Sequence, residues 1–84
     1  PMPDMPSRLR LWRDMFCTGR FAVSAEVDFN ALATKYELAG GAIVNVLRHA
    51  CLLAVERSPR TIELADIMSG VREELRKEGH YLGN

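Results

Sequence analysis

The sequence predicts an all-α domain, a small four-helix bundle. Three observations lead there. Apolar residues recur at helical spacing in four separate stretches, glycine and proline fall between those stretches, and no internal repeat or low-complexity segment interrupts them. With 84 residues, nearly half of them apolar and about a quarter charged, the chain suits one compact domain with a modest core.

The first helix is expected over 5–17, where Leu9, Trp12 and Phe16 share a face and Leu11 and Met15 flank it. Asp4 or Ser7 supplies its N-cap, Pro6 is tolerated in the first turn, and Gly19 lies beyond its end. The stretch 18–27 has no clear period and reads as a connection. Asp28 then offers an N-cap to a second, shorter helix over 29–37, with Phe29, Leu32, Ala33 and Tyr36 on one face.

A break at Leu38-Ala39-Gly40-Gly41 precedes the third and most apolar helix, over 40–57, in which Ile43, Val46, Leu47, Ala50, Leu53 and Ala54 recur at i, i+3, i+4, i+7. Ser58-Pro59 stops it, since proline lacks an N–H and disfavours helical geometry in the residue before it. Thr61-Ile62 runs briefly extended. The fourth helix, over 64–78, carries the clearest stripe, Leu64, Ile67, Met68, Val71 and Leu75, opposite the charged run from Arg72 to Glu78, and ends at Gly79.

Charge and composition exclude several classes of function. Eleven Lys and Arg balance eleven Asp and Glu, so no net field attracts nucleic acid or an anionic membrane. No apolar run approaches a bilayer-spanning length. Cys17 and Cys51 form no CxxC pair and have only His49 and His80 as other soft ligands, so no metal site is expected and free thiols are favoured over a disulfide. His49 and Cys51, two apart on a helix, face different directions and do not make a catalytic pair.

The order of short motifs carries more than periodicity does. Pro3-Asp4, Arg8-Leu9-Arg10-Leu11-Trp12, Val27-Asp28-Phe29-Asn30-Ala31-Leu32-Ala33, Ala39-Gly40-Gly41-Ala42-Ile43 and Ala50-Cys51-Leu52-Leu53-Ala54 follow one another over nearly the whole chain. This succession resembles the C-terminal helical lid of AAA (AAA+) ATPases. In that family an arginine-bearing helix follows a proline-containing turn, a glycine step opens the third helix, and the last helix follows a short extended piece.

The resemblance implies that residues 1–84 are a single lid domain, a fragment of a larger ATPase. Such a lid closes over ATP or ADP, bound with Mg²⁺ by the parent's own N-terminal ATPase domain, and couples hydrolysis to subunit motion in a cytoplasmic ring, hexameric in form. The fragment itself has no GxxxxGK[ST] phosphate loop and no apolar strand ending in paired acidic residues, so no catalytic residue is assigned to it.

By the same resemblance, Gly40, Gly41 and Met15 lie on the adenine and ribose side of the nucleotide. Absent side chains permit close approach at Gly40 and Gly41, and a thioether packs well on a flat ring. A tight interhelical turn is the competing reading of the two glycines, and core packing that of Met15. Many relatives carry an arginine near the start of the third helix; Ala42, Ile43 and Val44 stand there, and Arg48 follows about 10 Å further along the helix. Arg48 and Arg72 are therefore read as inter-subunit or interdomain residues, against the alternative of plain solvated charge, and Trp12 as core. A small helical DNA-binding or protein-interaction module is the other reading of the whole chain.

Overall fold

A computed structural model describes residues 2–17, 19 and 21–79; Pro1, Thr18, Arg20 and the terminal residues 80–84, His80 among them, lie outside the described residues. Four α-helices are present among the described residues: α1 (Met5–Cys17), α2 (Phe29–Lys35), α3 (Gly40–Ala54) and α4 (Leu64–Lys77).

Each helix starts where a backbone or side-chain acceptor is available. Asp4 begins α1, its carboxylate accepting from the Ser7 N–H at 3.0 Å while its carbonyl accepts from the Arg8 N–H. Asp28 begins α2 in the same way, accepting from the Ala31 N–H at 3.1 Å. At the head of α4, Asp66 reaches back to the Glu63 N–H at 2.8 Å. Gly79, with φ +80°, closes the C-terminal end of α4 in the left-handed region that glycine adopts without strain.

Two helices are shorter than the periodicity predicts, and α4 ends one residue early. The second ends at Lys35 rather than 37, because Tyr36 turns extended (φ −117°, ψ 116°) and the following Leu38 is fully buried in the core. The third ends at Ala54 rather than 57: the Arg57 N–H closes a tight turn on the Ala54 carbonyl, and Ser58 precedes a proline, which disfavours helix at Ser58. The Ser58-Pro59 peptide bond is cis.

The core gathers one stripe from every helix: Trp12 and Phe16 of α1, Leu32 and Ala33 of α2, Ile43, Val46, Ala50 and Ala54 of α3, and Ile67 and Val71 of α4, with Leu38 and Ile62 filling from the connections. Trp12 is thus core, as its spacing predicts, tilted on Phe16 and stacked on Phe29 at centroid distances of 5.5 and 6.5 Å.

The largest interhelical surface joins α3 to α4. They run antiparallel: the Asn45 amide donates to Glu74 at 3.1 Å near the start of α3, and His49 meets Ser69 at 2.9 Å one turn on. Between these two contacts Gly70 is pressed against Val46. The two long connections are pinned together by a parallel bridge, with the Ile62 N–H donating to the Ala22 carbonyl and the Ser24 N–H to the Ile62 carbonyl. Thr61-Ile62 is therefore extended, as expected, and its partner Val23 lies in the stretch read as a connection.

Candidate functional site at the start of the third helix

Gly40 and Gly41 are the first two residues of α3, not the middle of a turn. Neither has positive φ, the only such glycine among the described residues being Gly79. The interhelical turn is made by residues 36–39 instead, so a requirement for glycine in turn geometry does not account for either residue. A Cβ added at Gly40 would sit 3.5 Å from Leu11 Cδ1, an ordinary contact, and one added at Gly41 would meet nothing within 4 Å. The fold of this chain therefore does not require glycine at either position. It leaves the helix start exposed at Gly41, with no side-chain cap and with first-turn backbone N–H groups lacking intrahelical acceptors.

Met15 is half-buried and lies elsewhere. Gly40 faces Leu11, one helical turn before Met15, whereas Met15 lines an apolar groove with Phe16, Phe21, Leu47, Cys51 and Ile62. The structure thus brings Gly40 and Gly41 together and sets Met15 against the middle of α3. Arg48 and Arg72 are exposed, on α3 and α4 respectively.

Three charged residues are buried: Arg8, Asp66 and Glu74, the last accepting from the Asn45 amide and paired with Lys77. Arg8 is only 7% exposed; its Nε donates to the Ala33 carbonyl and its Nη1 to the Pro3 carbonyl, both at 2.9 Å. One guanidinium thus satisfies a carbonyl in the last turn of α2 and holds the chain entering α1. A signal was available: Arg8 stands four residues before Trp12, on its face. Asp66 is the second. Arg57 grips both its oxygens and also donates to the Thr61 carbonyl at 2.7 Å. Burial pushes the Asp66 carboxyl up, but hydrogen bonds from Arg57 and the Glu63 N–H outweigh it, and the net shift is downward.

The Ser69–His49 contact has the residue types of a nucleophile and base, but both side chains are half-buried in the α3–α4 seam and neither lines the groove or the α3 N-terminus. It is a seam contact. Cys17 and Cys51 are free thiols, Cys17 exposed and Cys51 half-buried, with burial raising the Cys51 thiol. Among the described residues no group of three His, Cys, Asp or Glu is placed to hold a metal ion, and no helix is long and apolar enough to cross a membrane.

Neither a protein-family model nor a curated protein sequence matches the chain.

Proposed function

We propose that the chain is the C-terminal helical lid of an AAA-type ATPase. In this reading it closes over ATP or ADP held with Mg²⁺ by the catalytic domain of the parent protein, and hydrolysis there changes the angle between lid and domain. The order of motifs supports the reading, and so does the architecture: four helices, a glycine step opening the third, and an extended Ile62 before the fourth.

The observation that carries it is the unexplained glycine pair. A helix start with no positive φ and no crowding ordinarily takes a capping or helix-forming residue, because glycine costs helix stability. Glycine at both positions is accounted for when something outside the chain must come close. A nucleotide's base and ribose fit that requirement, since backbone N–H groups offer donors and the absent side chains leave room. Met15 sits in a separate groove, so the proposed contact narrows to Gly40 and Gly41.

Arg48 and Arg72 face outward in this reading, towards the catalytic domain or a neighbouring subunit of a cytoplasmic ring, hexameric by analogy with the family. The fragment performs no chemistry; it supplies shape and movement.

The decisive substitution is Gly41→Trp in the full-length parent. Open space at Gly41 lets the indole be accommodated without disturbing the lid, so weakened nucleotide binding or turnover, with an unchanged melting temperature of the isolated lid, is the expected result. Unchanged nucleotide affinity and ATPase kinetics would remove the contact.

A further inference from the structure

The third helix is apolar on more than its buried side. At 3.6 residues per turn, Gly41, Val44, Arg48, Leu52 and Val55 fall on one stripe, opposite the core residues Ile43, Val46 and Ala50. Leu52 is 72% exposed and Val55 38%. Beside this stripe, on its Cys51 edge, runs the apolar groove of about 170 Å³ lined by Met15, Phe21, Leu47 and Cys51. Arg48, exposed, is the one formal charge on the stripe and stands midway along it.

We infer that the outer face of α3, with the groove beside it, docks an amphipathic protein helix carrying apolar anchors and a carboxylate opposite Arg48. Charge argues against the simplest alternative, a second copy. A two-fold axis that pairs the stripe antiparallel with itself brings Arg48 against Arg48, two cations meeting in an apolar contact. A carboxylate at the same place gives an ion pair framed by apolar side chains. Size argues for a helix rather than a broad domain surface: stable interfaces between globular proteins bury about 800 Å² on each side, more than a single helix stripe offers, whereas a helix in a groove needs only a few anchors. A groove of this volume admits one large apolar side chain. The inference rests on the fold alone; in the lid reading, the docked helix is one presented by the surface that Arg48 faces.

The test is selection of a phage library displaying amphipathic helices against the 84-residue chain, repeated with Arg48→Glu. Enrichment of helices bearing Asp or Glu beside their apolar anchors on the wild type, switching to Lys or Arg on Arg48→Glu, is the expected result. A selected peptide should shift the amide resonances of Leu47, Arg48, Cys51, Leu52 and Val55, and Leu52→Glu should weaken its binding at least tenfold with the melting temperature unchanged. No enrichment, enrichment indifferent to the charge at position 48, or binding that survives Leu52→Glu overturns the inference. So does dimerisation of the wild type that Leu52→Glu abolishes, which would give the face to a second copy.

Discussion

Gly70 of α4 lies so close to Val46 of α3 that a Cβ at position 70 would stand 3.1 Å from Val46 Cγ1, 3.2 Å from its Cα and 3.3 Å from its carbonyl oxygen. Two of those three atoms are backbone, so relief requires moving a helix and not merely turning a side chain. The seam between α3 and α4 closes here because residue 70 has no side chain.

Gly70→Ala should therefore destabilise the fold even though alanine is the better helix former by about 1 kcal/mol. Overpacking outweighs propensity when the crowded atoms are backbone, and Gly70→Leu should cost more, about 2–3 kcal/mol. Chemical denaturation followed by circular dichroism checks both. Greater stability in Gly70→Ala would mean that the helices separate readily.

Gly40 and Gly41 behave in the opposite sense. Alanine fits at both, so Gly40→Ala and Gly41→Ala should leave the isolated chain unchanged or raise its stability by up to about 1 kcal/mol. The same denaturation curves test this, and a marked loss at either position would show that glycine is needed by the fold itself.

Arg8→Met keeps much of the aliphatic packing but strips the donors from two carbonyls, one of them in the last turn of α2. A loss of about 1–3 kcal/mol is expected. Arg8→Lys should recover little, because a single ammonium cannot reproduce the two directions of the guanidinium fork. Hydrogen exchange on α2 amides should quicken in both variants more than exchange on α4.

Asp66 makes stability depend on acid. Its carboxyl is held below the usual carboxylate value, so its contribution is present above the unfolded-state value of about 3.9 and is lost as pH falls through the lower folded-state value. The difference in melting temperature between wild type and Asp66→Asn should thus be steady at neutral pH and shrink below about pH 4. At neutral pH the variant should be less stable by about 1–2 kcal/mol, since the neutral amide loses the charge-assisted grip of Arg57. A difference that stays constant down to pH 2 would mean that the pair contributes nothing through charge.

Periodicity made the four helices and most of the core legible, because Trp12, Phe16, Ile43, Val46, Ile67 and Val71 are apolar at helical spacing and all are buried. Asp4, Asp28 and Gly79 announced helix ends through local chemistry, which a short window contains. What a window cannot contain stayed hidden: Arg8 is buried because a carbonyl from α2 arrives above it, and Gly70 is needed only because α3 crosses there. At the candidate site, the glycine pair was visible in sequence, but the absence of any intrachain demand for it required knowing φ and the neighbouring atoms. Met15 shows the reverse limit, since helical spacing placed it on α1 without revealing that its neighbours would be Leu47 and Cys51.

The bridge between Val23 and Ile62 has a consequence for how the chain folds. The antiparallel α3–α4 pair is joined directly through residues 55–63, whereas the bridge joins segments more distant in sequence, with α2 and α3 between them, and bears a larger entropic cost. The Ile62 and Ser24 amides are bonded only across that bridge, so their protection should appear after α3 and α4 have paired, when the α1–α2 half docks. Pulse-labelling of these two N–H groups during refolding would time the assembly of the halves.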